Sequence, residues 1–188
     1  MEQLFPQRTF ADIASHLDVL RAAPRESGTL ELLVRRPGLR TREVLDEGEL
    51  STTDCLVGDS WLSRATSRAI ATGRHLDAQI NVMSARAASY LAFGDVERQA
   101  LAGDQLYLDL DLSVDHLPTG TRLAIGASAV IEVTAKPHLG CAKFSRRFGE
   151  EATRFLNSPE GKALRLRGFN ARVVEPGTVR PGDGVKRL

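Results

Sequence analysis

The sequence predicts a mostly β fold with flanking helices, closed as a barrel. Residues 103–113 alternate leucine with polar or aromatic side chains, which is the pattern of a strand with one buried face. Several short strand-like segments follow at close spacing, separated by Gly and Pro turns, and this arrangement is typical of barrels. A single helical segment interrupts these strands.

The chain is predicted to consist of an N-terminal helical extension (1–29) and one barrel domain (30–188). Its 188 residues, 42% of them hydrophobic, are enough to bury a core without disulfides or a structural metal. Residues 9–23 have the apolar spacing of an amphipathic helix. Thr9 and Asp12 have the spacing of a capping pair at its start.

A basic stretch follows the first predicted strand, which covers residues 30–35. It has the sequence RRPGLRTR (35–42), and its Pro-Gly pair indicates a turn. The positive charge of the chain is most concentrated here. The stretch is compatible either with a solvated hairpin tip or with an anion-binding loop.

The middle of the chain is predicted to be helical over 60–72 and 84–102, which are both rich in alanine. A break is expected at Gly94, after which Asp95 can cap the next helix. The segment 75–83 between the two helical regions has no clear periodicity.

The clearest strand covers residues 106–112. Its four leucines share one face, which we expect to be buried, whereas Asp109 and Asp111 share the other. Paired carboxylates can perform acid–base chemistry. Alternation on a strand also predicts a solvated face, so these aspartates are expected at the surface or at a pocket rim.

Two more strands are predicted at 121–126 and 128–135, joined at Gly126. A last hairpin is predicted over 171–179, turning at the Pro-Gly pair 176–177. Together with the leucine-rich strand, these segments would supply much of the barrel wall.

The helical interruption carries Phe144, Phe148 and Phe155 at spacings of four and seven, on one helix face. Gly149 can divide it into two helices. A further helix is expected to start after Ser158, because proline follows at its first position.

Composition and charge exclude several classes of protein. Lys plus Arg (25) nearly cancel Asp plus Glu (24), so the net charge gives no reason to expect nucleic acid or a membrane as a partner. No apolar run is long enough to span a bilayer, and the start MEQLFPQRTF lacks the features of a secretory signal. We therefore expect a cytoplasmic protein whose cysteines are thiols.

The sharpest local motif is KPHLGCAKFSRR (136–147). Cys141 falls at or just before a predicted helix N-terminus, where free backbone N–H groups and the helix dipole favour an anion. Five basic or imidazole side chains lie close to it in sequence: Lys136, His138, Lys143, Arg146 and Arg147. Such surroundings lower the pKa of a thiol and make it a nucleophile or a soft metal ligand. We therefore expect Cys141 to be partly exposed in a groove, with basic side chains nearby.

Structural interpretations of these residues stay open as well. A free cysteine often serves as a small buried apolar residue, and His138 can simply form a hydrogen bond within the turn. Cys55 has Asp54 and Asp59 nearby and little positive charge, so we interpret it as structural. No zinc-binding spacing, P-loop, dinucleotide-binding glycine motif or nucleophile elbow is present in the sequence.

These residues resemble, in order along the chain, the MOSC domain, which is named for the C-terminal domain of molybdenum cofactor sulfurases. The resemblance covers roughly residues 30–186. It is carried by LVGDSW (56–61), QINVM (79–83), GDQLYLDLDLS (103–113), GTRLAIG (120–126), AVIEVTAKPHLGC (129–141) and RGFNARVVEPGTVRPGD (167–183).

The resemblance implies a MOSC-type β-barrel in which Cys141 is the functional residue and the ligand of molybdenum in a molybdopterin-type cofactor. The positions expected to bind this cofactor are Asn81, Asp104, His138, Lys143 and Arg172. Asn81 and Arg172 could equally satisfy backbone groups or form a surface ion pair. Many stand-alone members have proline directly before the cysteine, where this chain has Gly140.

Three functions are compatible with this resemblance. The first is an oxotransferase or reductase that uses thiolate-bound molybdenum on N-hydroxylated substrates. It would need an electron-donor reductase in trans, because the chain has no cysteine cluster for iron and sulfur. The second is a sulfur carrier that holds a persulfide on Cys141 and receives sulfur from a donor protein, and the third is a non-catalytic barrel. No aminotransferase-like domain is present, so no pyridoxal phosphate is expected.

Overall fold

The computed structural model describes residues 5–188 and shows a β-barrel with helices packed on its outer surface. Within these residues lie eleven strands, in chain order: β1 (Gly28–Arg35), β2 (Glu43–Val44), β3 (Gly48–Ser51), β4 (Cys55–Leu56), β5 (Ile80–Ser84), β6 (Leu106–Asp109), β7 (Arg122–Ile125), β8 (Ala129–Val133), β9 (Phe169–Glu175), β10 (Gly177–Val179) and β11 (Gly184–Arg187).

The helices of the same part of the chain are short. The α-helices are α1 (Phe10–Ser15), α2 (Leu17–Arg21), α3 (Ser67–Ala71), α4 (Ala85–Leu91), α5 (Val96–Ala100), α6 (Ala142–Phe148), α7 (Glu150–Leu156) and α8 (Pro159–Ala163). Two 3₁₀ helices cover Leu62–Arg64 and Arg74–Ala78. None of the described helices is long and apolar enough to cross a membrane.

Seven strands close the barrel in the order β1, β6, β5, β9, β8, β7 and β11, and β11 pairs back with β1. All neighbours in the barrel are antiparallel except β5 and β6, which run parallel. A small second sheet contains β10, β3 and β4. The predicted fold class, mostly β with flanking helices, is confirmed.

Two apolar cores hold the molecule together. One fills the barrel and includes the side chains of Leu106 and Leu108. The other lies between the outer face of the barrel and the helices, and it includes Tyr107 and Phe144. Strand β6 is therefore buried on both faces along Leu106–Leu108, because helices cover the side that alternation alone predicts to be wet.

The local signals at the helix ends are largely confirmed. Thr9 and Asp12 form a capping box, and Asp95 and Ser158 cap α5 and α8. Gly149 separates α6 from α7 with a φ of 100°, a backbone conformation that side chains disfavour. Two predicted helices differ from the structure: residues 9–23 form two helices that meet at His16, and 60–72 contain only a 3₁₀ turn and α3.

The predicted hairpin over 171–179 is wrong. β9 pairs with β5 and β8, whereas β10 pairs with β3 in the small sheet, so the chain passes from one sheet to the other at Pro176. Gly177 allows this passage, since a Cβ at its position would lie 2.5 Å from Ser128 Oγ and 2.7 Å from the Ala129 backbone nitrogen. Gly177 is thus selected by close packing rather than by a tight turn.

The N-terminal helices are part of the packed structure. α1 packs against α7 and α2 against α4, and Ile13 and Leu20 contribute to the core between barrel and helices. The division of the chain into an extension (1–29) and a domain (30–188) stays a prediction.

Candidate functional site

Cys141 lies on the surface at the residue that immediately precedes α6. The strand β8 ends at Val133, and the connecting segment from Thr134 to Gly140 carries the chain from the barrel end to this helix. The predicted exposure of Cys141 and the helix start directly after it are both confirmed.

The surroundings of Cys141 favour its thiolate form. Partial burial has the largest effect and would raise the pKa, but the combined effects that lower it are greater. They come from the backbone N–H groups of Phe144 and Lys143, which point toward Sγ without a hydrogen bond of standard geometry, and from the charges of Arg167 and Lys143. The pKa of Cys141 is therefore held below its usual value.

A buried ionic cluster lies beside this cysteine and joins three segments of the chain. The Asp104 carboxylate is fully buried, and it accepts hydrogen bonds from Arg167 Nη1 at 2.6 Å and His138 Nε2 at 2.6 Å. The Arg167 guanidinium also lies 4.8 Å from the centre of the Phe144 ring, in the first turn of α6. Arg167 thus connects Asp104 with the helix that follows Cys141.

The protonation states within this cluster follow from its charges. Burial would raise the pKa of Asp104, but Arg167 and His138 lower it to about 2, so the carboxylate is ionised. Burial and the charge of Arg167 lower the pKa of His138 despite its Asp104 partner, so its imidazole is neutral near pH 7. Because an ionised carboxylate only accepts hydrogen bonds, His138 donates through Nε2–H and keeps a lone pair on Nδ1.

A second network holds the segment that precedes Cys141. Asn81 accepts a hydrogen bond from Arg36 Nη1 at 2.8 Å and donates one to Asn170 Oδ1 at 2.6 Å. Asn170 in turn donates to the carbonyl oxygens of Lys136 and Pro137, both at 3.0 Å. The polar groups of Asn81 are therefore used within the protein, in the structural role that its sequence context left open.

Arg36 is buried, and it resolves the two interpretations of the basic stretch. Its guanidinium forms a two-point ion pair with the fully buried carboxylate of Asp59, at 2.9 and 3.1 Å. It also donates to the Gly103 carbonyl oxygen at 2.9 Å, next to Asp104. The tip of the stretch, with Pro37, Leu39, Arg40 and Thr41 exposed, is the solvated turn that one interpretation expected.

Two basic cavities flank the segment 136–138. The Trp61 cavity, of about 420 Å³, is lined by Arg36, Trp61, Arg64, Arg74, Asn81 and Lys136 among others. The His138 cavity, of about 380 Å³, is lined by Lys136, His138, Lys162, Arg165, Arg167 and Phe169 among others. Cys141 is exposed and lines neither cavity, so neither of them is the groove expected around it.

A larger cavity of about 610 Å³ lies elsewhere, between the N-terminal helices and α4. It contains Asp109, whose carboxylate pairs with Arg86 at 2.5 Å. Asp111 pairs with Arg25. The two aspartates are at the surface or a pocket rim, as predicted, and each serves an ion pair. None of the residues predicted to bind cofactor lines this cavity.

The residue before Cys141 has a specific structural reason not to be proline. Its N–H donates to Asn157 Oδ1 at 2.9 Å, and its carbonyl oxygen accepts from Asn157 Nδ2 at 2.9 Å. Proline has no N–H and would lose the first of these bonds. The departure of Gly140 from the pattern of many MOSC proteins is thus coupled to Asn157 at the end of α7.

The other predicted site residues are not part of the buried cluster. The Lys143 side chain is exposed on α6 and contributes positive charge near Cys141. Arg172 is on the outer part of β9, where it pairs with Glu132 at 2.5 Å. Cys55 is fully buried and donates to the Gln79 carbonyl oxygen at 2.7 Å, and burial raises its pKa to about 12, consistent with a structural cysteine.

Sequence reasoning missed Arg167, Asn170, Asp59 and Arg36 as members of the site. The first three lie within the segments that resemble the MOSC domain, namely RGFN and LVGDSW. Arg36 lies in the basic stretch after β1. The sequence shows these residues but not which residue each of them pairs with, because the partners are distant in sequence, as with Asp104 and Arg167.

Comparison with known proteins gives the same fold. The family model of the MOSC domain matches residues 77–186. No curated protein matches the chain significantly. Among solved structures, the YuaD protein from Bacillus subtilis has a TM-score of 0.58 at 16% identity, over 86% of this chain and 95% of that one.

Two further structures are similar over most of the chain. YiiM from Geobacillus stearothermophilus has a TM-score of 0.54 at 14% identity, over 86% of this chain and 75% of that one. YiiM from Escherichia coli has a TM-score of 0.51 at 18% identity, over 85% of this chain and 69% of that one. Since the family model covers more than half of the chain, the protein belongs to the MOSC domain family.

Proposed function

We propose that this protein binds a molybdopterin-type molybdenum cofactor through the Cys141 thiolate and acts as an oxotransferase or reductase. The observation that carries the proposal is an exposed thiol of lowered pKa beside the buried cluster of Asp104, Arg167 and His138. The proposed location is the reducing cytoplasm, where Cys141 stays a thiol.

The side chains fit such a cofactor in two respects. A thiolate is a soft donor suited to a transition metal. Among residues 5–188, no group of three or more His, Cys, Asp or Glu side chains could hold a metal ion, and in this proposal the other ligands of a metal at Cys141 belong to the cofactor. A molybdopterin supplies such ligands together with a phosphate.

The Trp61 cavity fits the phosphate of the cofactor. Arg64 and Arg36 share the carboxylate of Asp59, and no described acidic side chain pairs with Arg74. Burial and the charge of Arg36 lower the pKa of Arg64, so an anion between these guanidinium groups would relieve unfavourable interactions. We assign the phosphate to Arg64 and Arg74.

The chain supplies orientation and proton handling. When bound, the cofactor supplies a redox-active metal for oxygen-atom transfer. The N–H groups of Lys143 and Phe144 stabilise the Cys141 thiolate. His138, fixed by Asp104, can accept a proton or a hydrogen bond from a substrate at Nδ1. Electrons would come from a reductase in trans, and N-hydroxylated compounds are the proposed substrate class.

The test is the pterin content of protein that has been co-produced with the cofactor biosynthesis enzymes. The Arg74→Glu variant is expected to lower bound pterin and molybdenum together, whereas the Lys186→Glu control on β11, an exposed lysine, should retain both. Wild-type protein that contains no pterin under these conditions would contradict the proposal.

A sulfur carrier is the second candidate, and the exposure of Cys141 outside both cavities favours it. An exposed thiolate can attack the outer sulfur of a persulfide on a donor protein, so that the persulfide forms on Cys141 and the donor's thiolate leaves. Mass spectrometry of the freshly purified protein distinguishes the candidates. A persulfide on Cys141 in protein that lacks pterin would favour the carrier.

A further inference from the structure

The His138 cavity has an unbalanced charge. Four of its lining residues, Lys136, Lys162, Arg165 and Arg167, carry a positive charge, and no Asp or Glu lines it. No described acidic side chain pairs with Lys136 or Lys162. The nearby carboxylate of Asp104 does not line the cavity, but it compensates the charge of Arg167, so Lys136, Lys162 and Arg165 remain as the uncompensated cations. The cavity therefore attracts anions.

One wall of this cavity has an unusual backbone. Arg165 has a φ of 47°, in the left-handed region that favours glycine, and its Nη1 donates to the Leu117 carbonyl oxygen at 2.5 Å. Three residues later Gly168 has a φ of 93°, and a Cβ there would lie 1.6 Å from the Val82 carbonyl oxygen. The surrounding structure thus fixes the turn that positions Arg165.

The remaining wall is apolar. Leu139, which is 44% exposed, lines the cavity together with Phe169 and Leu156. A volume of about 380 Å³ is sufficient for a small organic molecule. A purely inorganic anion would leave the exposed part of the Leu139 side chain without a contact, whereas Phe169 and Leu156 are already packed in the cores.

We propose that the His138 cavity binds a small organic anion, with its carboxylate or phosphate group near Lys162 and Arg165 and its apolar body against the exposed side chain of Leu139. The inference deepens the proposed function, because it assigns the substrate to the anionic members of its class. The separation from the Trp61 cavity by residues 136–138 would keep substrate and cofactor phosphate apart.

The test uses benzoate and benzamide, which share a ring and differ in charge. Binding to purified protein without added cofactor is measured by isothermal titration calorimetry. Benzoate is expected to bind about tenfold more tightly than benzamide, the factor that one charge-assisted hydrogen bond supplies. Equal affinity for the two probes would overturn the inference.

Three variants locate the site. Lys162→Glu should weaken benzoate binding by about tenfold or more, whereas the surface control Lys186→Glu should leave it unchanged. Loss of binding in Arg74→Glu with full binding in Lys162→Glu would place the anion in the Trp61 cavity and overturn the inference.

Failure of this inference can be told apart from failure of the proposed function. Molybdenum and pterin binding without a preference for benzoate would overturn the cavity assignment alone. Selective benzoate binding by a protein that never takes up pterin would overturn the proposed function and leave the cavity assignment standing.

Discussion

Asp104 shows how single residues determine the chemistry of the site. A fully buried carboxylate is unfavourable unless cations and hydrogen-bond donors compensate its charge. Arg167 and His138 provide both, from segments that lie more than thirty residues away in sequence. The same arginine adds positive charge near Cys141, so the ionic cluster also helps to lower the pKa of this thiol.

The Asp104→Asn variant is therefore expected to destabilise the protein. It leaves Arg167 buried without a negative partner, which typically costs about 3 kcal/mol. The free energy of unfolding, measured with urea at pH 7, provides the check. Asp109→Asn removes a partly exposed ion pair with Arg86, so this control should cost less than about 1 kcal/mol. Equal costs for the two changes would contradict the role assigned to Asp104.

Acid should destabilise the protein in two ranges of pH. The pKa of His138 is lowered in the folded state, so stability is lost as the pH falls through the ordinary histidine value of about 6.5. Asp104 has a folded pKa of about 2, below its ordinary value of 3.8, so its contribution is lost between those values.

The His138→Gln variant tests the upper range. The free energy of unfolding, measured by urea titration, should fall less between pH 8 and pH 5 in this variant than in the wild-type protein. The other histidines, including His16, contribute equally to both proteins. An unchanged slope in the variant would mean that His138 is not held in its neutral form.

At the scale of secondary-structure elements, local signals were predictable and long-range pairing was not. Thr9 with Asp12 and Ser158 marked helix starts correctly, because a cap depends only on residues within one turn. The Pro176-Gly177 pair was misinterpreted as a hairpin turn, since its role depends on contact with Ser128 and Ala129 on a distant strand. β11 was not predicted at all, and it closes the barrel.

The turn before β9 is the element most sensitive to a small change. Gly168→Ala should destabilise the protein by more than about 3 kcal/mol, because its Cβ would overlap the Val82 carbonyl oxygen as well as strain the backbone. Thermal unfolding is the measurement.

Gly182 provides a matched control for this change. It has nearly the same φ, 95° against 93°, but no atom lies within 4 Å of a Cβ at its position. Gly182→Ala should therefore cost only the backbone strain, about 1 kcal/mol. Similar losses of stability in Gly168→Ala and Gly182→Ala would show that steric overlap with β5 does not cause the destabilisation of Gly168→Ala.

At the scale of the whole molecule, the sequence was sufficient for the family, but not for the arrangement of the residues around Cys141. The order of the six MOSC-like segments specifies a barrel without any three-dimensional information. Arg36 and Arg167 resembled ordinary surface cations, because burial by helices and loops is a tertiary property. For Arg172 the sequence left open cofactor binding or a surface ion pair, and the side chain forms an ion pair with Glu132.

The fluorescence of Trp61 can be used to detect binding in the Trp61 cavity. Trp61 is the only tryptophan, and it lines the cavity assigned to the cofactor phosphate, stacked at 5.4 Å on His75. Loading with cofactor should change the tryptophan emission, whereas benzoate in the His138 cavity should not. An emission change of the same size with benzoate would contradict the separation of the two cavities.

The central claim is that the Cys141 thiolate holds molybdenum, and metal analysis of two cysteine variants tests it most directly. Cys141→Ser replaces the soft donor by a hydroxyl with little change in volume, so the folded variant should lose its molybdenum. Cys55→Ser changes a fully buried thiol that is not proposed to bind the metal. The molecules of this variant that fold should therefore retain their molybdenum. Full molybdenum content in folded Cys141→Ser protein, co-produced with the cofactor biosynthesis enzymes, would contradict the claim.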